Sequence, residues 1–402
     1  MNKRIKVLLF TPAYADKNDR TKQNHVHNAL RSFREQGIEP TVVDLRPDRE
    51  GIFHEEFESI EVVRFGVLPV GWKRGGVFRT VFRNRMTRFL RENASGYDII
   101  HLNTTLIQML SPLSVVPTIP VVATCHGDEV YPSPNAAVEE ARRSLLQSCR
   151  VVTAVSAYTA ALVKNYVGES VPVHVILNGI RADIFSAVLA KDKNLLRETH
   201  RIPRNAFVIL MACAMIERKG VLEVLDAFEI VAREKPEAIL YCVGKGSLAD
   251  GFQRRVVEKG LSSRVKYIPY IESDEEMAEL YRLADLYIML SKTVPNSQGA
   301  GVEGFGISYI DAGAVGIPVI GGNSGGVPSA VVDGETGYLV DPNSPDLVQL
   351  VADKIKLLIS NPDLCQRVGE AGKRRVWGML TWDHYANKIR GLYDTVLREK
   401  SP

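Results

Sequence analysis

Two carboxylates around a glycine-rich turn are the side chains of this chain best suited to chemistry. Glu303 is followed by Gly304, Phe305 and Gly306, and Asp311 stands eight positions after Glu303. Glycines carry no Cβ, so a phosphate can approach such a backbone closely. If a helix begins directly after the turn, its unpaired N–H groups present about half a positive charge to that phosphate. The stretch therefore predicts an anion-binding site with an acid on either side.

The neighbouring segments predict the elements that must position these residues. The apolar run Leu286–Leu290 is typical of a buried strand, and Ile307–Val315 predicts a short helix. Gly316 stands where a helix-ending residue with positive φ is expected, and Ile317–Ile320 predicts the next parallel strand. Asp311 then lies about one turn inside the helix. The two acids can therefore face opposite sides of a bound diphosphate.

This pattern resembles the E-x7-E motif of retaining GT-B glycosyltransferases, specifically family 4. In that family the first acid, here Glu303, hydrogen-bonds the donor sugar. The backbone after it, here Gly304 to Ile307, holds the diphosphate, and the second acid grips the ribose hydroxyls. The second acid here is Asp311, one methylene shorter than the family's glutamate. The alternative is an ordinary βαβ unit with a chance pair of acids, but the GIPVI and SGGVP segments that follow also match the family.

The segment Met215–Gly220 resembles the family's G-R-L...K-G segment, whose Arg and Lys neutralise the diphosphate. Lys219 is matched, but Ala214 occupies the position of the Arg. Arg218 either acts in its place, since a guanidinium suits phosphate, or points to solvent. Both alternatives stay open at the level of the sequence.

Two further segments resemble the part of the family that surrounds the nucleotide. Gly244 opens the turn Gly-Lys-Gly-Ser after a predicted strand, Ile239–Val243, and resembles the family's loop near the nucleotide. Ile271, with the helix predicted after it, resembles the segment that packs against the base. Backbone contacts would read the base there, so the side chains do not separate uracil from guanine.

A histidine stands at the end of the predicted strand Val121–Cys125. Ligands of α/β domains bind at the carboxyl ends of parallel strands, which is where His126 lies. In the resembled family this histidine contacts the primary hydroxyl of the donor sugar and helps to orient the leaving group. A satisfied structural histidine is the alternative.

The loop after the first predicted strand departs from the family, which usually has glycines there. This chain has a polar run instead, and its side chains either replace backbone amides or form a solvated loop: Arg20, Lys22, Asn24 and His25. No G-x-G-x-x-G follows that strand, which disfavours a dinucleotide-binding dehydrogenase.

Strands and helices alternate along the whole chain, as in doubly wound α/β domains. The resemblance implies a GT-B fold, two Rossmann-like domains facing a central cleft. We expect an acceptor-binding domain over residues 1–185, an irregular linker over 186–205 and a donor-binding domain over 206–379. We expect a final helix within 380–402 to pack back on the first domain.

Composition limits the other possibilities. The 402 residues carry a net charge of +3, which is too small to indicate nucleic acid as a partner. The five cysteines include no C-x-x-C pair, and no apolar run is long enough to cross a bilayer. We therefore expect a cytoplasmic protein with reduced thiols.

One basic segment suggests a second partner. Lys73–Arg91 contains seven Lys or Arg residues and no acid, with apolar side chains near one helical face. A basic amphipathic helix of this kind can lie on an anionic membrane. The segment therefore predicts either peripheral association with the inner face of a membrane or a helix packed on its own domain with a solvated cationic rim.

Together these features predict transfer of a hexosyl unit from a UDP- or GDP-sugar to a hydroxyl of a sugar, lipid-linked or small-molecule acceptor. The chain has no Asp-x-Asp motif and no His or Cys cluster with metal-ligand spacing. The resemblance therefore implies front-face displacement with retention of configuration, without a metal or other cofactor. Lys219, Arg218 and helix amides would then stabilise the leaving diphosphate. A sugar-nucleotide epimerase, a phosphorylase and a catalytically impaired nucleotide-sugar-binding protein are the alternatives.

Overall fold

The computed structural model describes residues 4–15, 24–46, 51–66, 75–104, 110–296 and 299–399. The chain forms two compact units. Unit 1 comprises residues 1–178 and 382–402, and unit 2 comprises residues 179–381. The change of unit therefore falls between residues 178 and 179, rather than after the expected residue 185.

The described strands, in chain order, are β1 (Ile5–Pro12), β2 (Ile38–Arg46), β3 (Ile52–Phe57), β4 (Ile60–Gly66), β5 (Ile99–Leu102), β6 (Val121–Cys125), β7 (Val151–Ala154), β8 (Val173–Val175), β9 (Phe207–Ala212), β10 (Ala238–Val243), β11 (Val265–Ile268), β12 (Leu286–Met289), β13 (Val294–Asn296), β14 (Gly299–Gly301), β15 (Val319–Gly322) and β16 (Tyr338–Val340).

The described α-helices are α1 (Asn24–Phe33), α2 (Gly75–Asn93), α3 (Leu110–Leu113), α4 (Ala136–Gln147), α5 (Ala157–Val167), α6 (Ala182–Leu189), α7 (Lys193–Thr199), α8 (Val221–Glu234), α9 (Ala249–Glu258), α10 (Asp274–Leu283), α11 (Ile307–Val315), α12 (Val327–Ala330), α13 (Leu347–Ser360), α14 (Pro362–Met379) and α15 (Trp382–Arg398).

Unit 1 is built on an eight-stranded sheet in the order β3-β4-β2-β1-β5-β6-β7-β8. All neighbouring strands are parallel except β3 and β4, which pair antiparallel. The central strands are buried on both faces because helices cover them, which explains their nearly continuous apolar sequences. The antiparallel pair at the edge was not predicted.

The last helix, α15, belongs to unit 1 and packs against α1. The rings of Phe33 and Tyr385 stack with centroids 6.4 Å apart, and Arg390 Nη1 donates a 2.9 Å hydrogen bond to the carbonyl of Gln36. The hydroxyl of Tyr393 forms a 2.5 Å hydrogen bond with Nδ1 of His101, which lies in strand β5. Unit 1 is therefore completed by residues from the end of the chain.

Unit 2 is built on a six-stranded parallel sheet in the order β11-β10-β9-β12-β15-β16. Its core lies around β9 and β12, where Ile209, Phe228 and Ile288 are among the fully buried side chains. The predicted helix over 307–315 is present as α11, and Gly316 ends it with a φ of 82°.

Residues 186–205 are not irregular as expected; they contribute half of α6 and the whole of α7 to unit 2. Asp192 caps α7 by accepting a 2.7 Å hydrogen bond from the N–H of Asn194. Arg197, buried despite its charge, donates to the carbonyl of Leu283 and pairs with Asp285. The charged residues that suggested a linker instead cap α7 and form buried ion pairs.

Candidate functional site

The start of α11 in unit 2 has the geometry that the turn before it predicts. Gly306 precedes the helix with a φ of 94°, and a Cβ there would lie 2.5 Å from the ring of Tyr309. Only glycine fits this position. No side chain caps α11, and the N–H of Tyr309 donates to the carbonyl of Gly306 at 3.2 Å. Among the described residues, the N–H groups of Ile307 and Ser308 are therefore the ones left for a ligand. That an anion binds there stays a prediction.

Glu303, just before this helix, is held by two cations and a hydroxyl. Its Oε2 accepts hydrogen bonds from the ammonium of Lys219, from Ser291 Oγ at 3.0 Å and from Arg218 Nη1 at 3.4 Å. Burial alone would raise the pKa of Glu303, but the ammonium and the guanidinium lower it below its ordinary value. The carboxylate is therefore ionised and able to accept a hydrogen bond.

Backbone hydrogen bonds fix the two cations beside Glu303. The N–H of Leu290 donates to the carbonyl of Lys219 at 3.2 Å, and the N–H of Lys292 donates to that of Arg218 at 2.9 Å. Arg218 Nη1 also donates to the carbonyl of Val302 at 3.0 Å. Of the two orientations left open by the sequence, the structure therefore has Arg218 directed to Glu303 and not to solvent.

The segment Ser324–Gly326, part of the SGGVP sequence that matches the family, closes onto Glu303 itself. The carbonyl oxygen of Glu303 accepts a 2.6 Å hydrogen bond from the N–H of Gly326. Gly325 has a φ of 57°, and a Cβ there would lie 2.5 Å from the same oxygen. These glycines therefore position the backbone of the acid.

The other residues of the turn have unequal access to a ligand. The Phe305 side chain is 2% exposed, so only its backbone and that of Gly304 can contact a bound molecule. Asp311 lies one turn inside α11, and none of the described residues hydrogen-bonds its carboxylate. Burial, and to a smaller extent Asp274, raise the pKa of Asp311 well above its ordinary value.

Gly244 and Ile271 lie after the neighbouring strands β10 and β11. The carbonyl of Gly244 accepts a 2.8 Å hydrogen bond from the hydroxyl of Tyr267. The ammonium of Lys245 lies 3.7 Å from the centroid of the Tyr270 ring, and Tyr270 is among the exposed large side chains. Ile271 is half-buried directly after it. Their predicted contacts with a nucleotide stay predictions.

His126 follows β6 at the carboxyl edge of the unit 1 sheet. Its Nε2 lies 3.2 Å from Oδ1 of Asn103, and its backbone N–H donates to the carboxyl of Glu129. An amide oxygen only accepts, so Nε2 carries the proton, and Nδ1 has a lone pair that accepts no hydrogen bond from the described residues. Burial lowers the pKa of His126 to about 4. The imidazole is therefore neutral at pH 7.

His25 is the one residue of the predicted polar loop whose side chain the structure describes. Its ring meets that of His126 edge to face with centroids 4.9 Å apart. Burial, together with His126, lowers the pKa of His25 to about 3. Arg20 and Lys22, and the side chain of Asn24, lie outside the described residues.

A buried ion pair anchors the chain just before that loop. Arg64 and Asp44 are 3% and 0% exposed and lie 2.7 Å apart. Arg64 also donates to the carbonyls of Tyr14 and Ala15, and Asp44 accepts from the N–H of Tyr14. The chain is therefore anchored at Tyr14 and Ala15, directly before residues 16–23, which lie outside the described residues.

The position of α2 bears on the prediction that the basic segment Lys73–Arg91 lies on a membrane. Its apolar side chains Phe82, Met86, Phe89 and Leu90 are buried in the unit 1 core. They cannot enter a bilayer from that position. The exposed remainder is a cationic rim that includes Arg83, Arg88 and Arg91. The side chains of residues 71–79 lie outside the described residues.

None of the described helices is both long enough and apolar enough to cross a membrane. No group of three or more His, Cys, Asp or Glu side chains among the described residues could hold a metal ion.

Comparisons with known proteins address the family directly. The model "Glycosyl transferases group 1" matches residues 192–375, and "Glycosyltransferase Family 4" matches residues 23–184. A GDP-mannose-dependent alpha-(1-6)-phosphatidylinositol monomannoside mannosyltransferase of Mycobacterium tuberculosis is 30% identical over 269 residues, which are 67% of this chain and 68% of that protein. The chain belongs to glycosyltransferase family 4.

Further relatives of this family 4 glycosyltransferase agree. A D-inositol 3-phosphate glycosyltransferase of Streptomyces avermitilis is 27% identical over 285 residues, or 69% of this chain and 58% of that protein. The crystal structure of a glycosyltransferase from Rickettsia africae shares the fold with a TM-score of 0.76 at 19% identity, over 99% of this chain and 100% of that one. The predicted GT-B fold is confirmed.

Sequence reasoning missed three polar residues of the glycosyltransferase. Ser291 follows β12, Asn103 follows β5, and Thr11 lies near the end of β1. Each lies at the carboxyl edge of a parallel sheet, where ligands of such folds bind. Their position after predicted strands was the signal that could have found them.

Proposed function

We propose that this glycosyltransferase transfers a hexosyl unit, with mannose as the first candidate, from a nucleoside diphosphate sugar to a hydroxyl with retention of anomeric configuration. The observation that carries the proposal is the cluster of Lys219, Arg218 and Glu303 beside the uncapped start of α11. A diphosphate needs cations and N–H donors, and a sugar needs an acceptor for its hydroxyls. This cluster offers all three.

The leaving diphosphate is stabilised, in this proposal, by Lys219, Arg218 and the N–H groups of α11. Fixed donors aimed at developing charge stabilise a transition state strongly because they need no reorganisation. Both cations are already held by backbone hydrogen bonds. Charge neutralisation by these groups is the basis for proposing that transfer needs no metal.

Glu303 has two roles in the proposed site. Before donor binding its carboxylate pairs with both cations and offsets one of their two positive charges. With donor bound it shares them with the diphosphate and accepts a hydrogen bond from a sugar hydroxyl. Its lowered pKa favours the ionised form that this contact requires.

Retention follows, in this proposal, from attack on the same face as the departing diphosphate. The acceptor oxygen bonds to the anomeric carbon as the bond from that carbon to the phosphate oxygen breaks. The acceptor proton passes to the leaving phosphate. No side chain of the cluster is required as a covalent nucleophile in this step.

GDP-mannose is the first donor to test, and an inositol-containing molecule is the first acceptor. The M. tuberculosis relative is described as GDP-mannose-dependent and acts on a phosphatidylinositol mannoside, and the S. avermitilis relative is described as acting on D-inositol 3-phosphate. A UDP-sugar remains the second choice of donor.

The test compares GDP-mannose, UDP-glucose and ADP-glucose by thermal shift, followed by transfer to D-inositol 3-phosphate. A bound donor raises the melting temperature by mass action. We expect one donor to stabilise the protein, the product to keep the donor's anomeric configuration by NMR, and transfer to continue with EDTA. An inverted product, or transfer that EDTA abolishes, would contradict the mechanism.

We also propose that the cationic rim of α2 attracts an anionic membrane surface that carries a lipid-linked acceptor. Exposed arginines near such a surface gain about 1 kcal/mol each. The triple substitution Arg83→Glu, Arg88→Glu and Arg91→Glu should abolish co-sedimentation with anionic vesicles. Binding that the substitution leaves unchanged would remove this part of the proposal.

A further inference from the structure

A polar cavity of about 760 Å³ lies in unit 1, at the edge of the sheet where strands β1, β2 and β4 begin. Small-molecule sites typically have volumes of about 300–1,000 Å³. Lys6, Thr41 and Glu61 line the cavity from the sheet, and Asn93 and Tyr97 line it from the end of α2 and the turn before β5. Each of these side chains carries a hydrogen-bonding group. The cavity is therefore suited to a polar ligand.

This edge of the sheet is opposite to the edge that carries His126. Neighbouring parallel strands begin at one edge and end at the other, and His126 follows the end of β6. Along β1, the distance from Lys6 to Pro12 at the end of the strand is about 20 Å, at about 3.3 Å per residue. A small ligand in the cavity therefore cannot contact the carboxyl edge of the sheet at the same time.

Two of the cations that line the cavity have no partner among the described residues. Arg4 Nη1 is paired with Glu39 Oε1 at 2.6 Å. The side chains of Lys6 and Arg34, in contrast, form no hydrogen bond and no ion pair with any described residue. Both residues are exposed. Their charges are therefore available to a ligand.

The two unpaired cations are carried by neighbouring backbone segments. The N–H of Ile5 donates to the carbonyl of Gly37 at 3.0 Å, so β1 begins beside the turn that contains Arg34. Lys6 is the next residue on β1, and both residues line the same cavity. An ammonium and a guanidinium together suit a phosphate group, since both donate charge-assisted hydrogen bonds to its oxygens.

Hydrogen-bond acceptors line the same cavity. Glu61 Oε2 accepts from Thr41 Oγ1 at 2.9 Å, while Oε1 accepts no hydrogen bond from the described residues. Asn93 Nδ2 donates to the carbonyl of Phe89 at 2.9 Å, which directs the use of its Oδ1 to a ligand. The hydroxyl of Tyr97 hydrogen-bonds Thr41, so the carboxylate of Glu61 is held by a chain of side chains. A carboxylate repels a phosphate but accepts hydrogen bonds from hydroxyl groups.

This combination of groups disfavours simpler ligands. An inorganic anion would meet the carboxylate of Glu61, and a neutral ring would leave the charges of Lys6 and Arg34 unused. We propose that the cavity is a second binding site, for a sugar or polyol ring that carries a phosphate. The phosphate lies between Lys6 and Arg34, and hydroxyl groups of the ring donate to Glu61 Oε1 and Asn93 Oδ1. The site takes no part in the transfer reaction.

Fluorine NMR tests this binding site directly. The full chain is labelled with 3-fluorotyrosine, and the signal of Tyr97 is assigned by its loss in Tyr97→Phe. D-inositol 3-phosphate, mannose 6-phosphate, myo-inositol and inorganic phosphate are titrated separately. We expect at least one phosphorylated ring to shift this signal saturably, with an affinity at least about tenfold above those of myo-inositol and inorganic phosphate. No saturable shift with either phosphorylated ring, or an equal affinity for inorganic phosphate, would overturn the inference.

Substitutions by glutamine separate the two halves of the site. Lys6→Gln and Arg34→Gln should each weaken binding of the phosphorylated ring at least about tenfold, the scale of one hydrogen bond to a charged group. Glu61→Gln also removes a repulsion that any phosphate feels, so the informative quantity is the preference for the phosphorylated ring over inorganic phosphate. This preference should fall at least about fivefold, because one acceptor of the ring hydroxyls is weakened. An unchanged preference would show a site for anions alone and would overturn the inference.

Lys164→Gln is the matched control. Lys164 is an exposed cation on α5 of unit 1 and does not line the cavity, so its substitution should leave every affinity unchanged. Lys6 and Arg34 have no described partner, so Lys6→Gln and Arg34→Gln should melt close to the wild-type temperature. An equal loss of affinity in the control, or a large fall in melting temperature with the two cavity variants, would contradict the assignment. The titrations measure no transfer, so they decide this site even if the proposed donor fails.

Discussion

The hydroxyl of Ser291 donates a hydrogen bond to Oε2 of Glu303, the oxygen that also accepts from the ammonium of Lys219. This one carboxylate oxygen therefore accepts hydrogen bonds from the hydroxyl of Ser291 and from the side chains of Lys219 and Arg218. Its second oxygen, Oε1, accepts none of the hydrogen bonds found among the described residues. Glu303 can keep its internal partners and still bind a substrate hydroxyl.

Lys219→Ala should lower kcat by at least about tenfold, the scale of one lost transition-state contact. It should also move the acid limb of the pH–kcat profile to higher pH. The ammonium helps to lower the pKa of Glu303, so without it the carboxylate takes up a proton more readily. The pH profile of initial rates measures both effects.

Lys193→Ala is the matched control for that change. Lys193 also forms a partly buried ion pair in unit 2, at 2.9 Å from Asp285. We expect it to lower stability but to leave the acid limb in place. An equal displacement of the limb in both variants would contradict the role given to Lys219.

Gly325→Ala should reduce both stability and turnover. The new Cβ would lie 2.5 Å from the carbonyl oxygen of Glu303 and would force the acid to move. Overpacking of this kind costs about 1–3 kcal/mol. Urea unfolding and initial rates provide the measurements.

Gly334→Ala is the control because Gly334 also has a positive φ, 75°, but its Cβ would meet no atom within 4 Å. It should cost only the backbone strain, about 1 kcal/mol. It should leave kcat close to that of wild type. If Gly334→Ala lowered kcat as much as Gly325→Ala, displacement of Glu303 would not be the cause.

Acid should destabilise unit 1 through its buried histidines. Burial lowers the pKa of His25, His101 and His126 to about 3, 3 and 4. Below their unfolded value of about 6.5 the unfolded chain binds protons that the folded unit does not, so stability is lost as pH falls toward 4. Each histidine should contribute a slope of about 1.4 kcal/mol per pH unit.

Between pH 6 and 4.5, His25→Gln should lower the slope of the free energy of unfolding against pH by about 1.4 kcal/mol per pH unit. His25 is the best choice because none of the hydrogen bonds found among the described residues involves its ring. Urea titrations at several pH values measure the slope, with the exposed His174→Gln as the comparison variant. A slope equal to that of wild type would contradict the linkage.

Asp311 should act on stability in the opposite direction. Burial raises its pKa, so the folded chain holds a proton that the unfolded chain releases as pH rises above about 3.9. Asp311→Asn removes this penalty. The variant should match wild type near pH 3.5 and exceed it in stability at pH 8. Lower stability of the variant at pH 8 would show that the ionised carboxylate has a stabilising partner.

The sequence predicted the elements whose pattern is local. Helix α11 and strand β6 fall on their predicted residues, because an apolar run and a flanking glycine or loop determine each of them. The strands β3 and β4 were missed. They form an edge pair in which β3 is largely exposed, so it lacks the buried pattern of the central strands.

Contacts distant in sequence could not be predicted in the same way. The motif indicated that Arg218, Lys219 and Glu303 belong to one site, but the closure of Gly325 onto the Glu303 carbonyl depends on how β12 and β15 pair. The burial of Arg197 likewise depends on Leu283 and Asp285, more than eighty residues away. Composition alone therefore suggested a solvated linker.

The position of α15 has a consequence for synthesis on the ribosome. Residues 179–381 emerge as a continuous block, so unit 2 has all its strands before translation ends. Unit 1 must wait for Tyr385, Arg390 and Tyr393, which cover α1 and His101. A nascent chain that stops before α15 would thus carry a complete unit 2 and a unit 1 with an uncovered apolar face, a form that quality-control proteases can recognise.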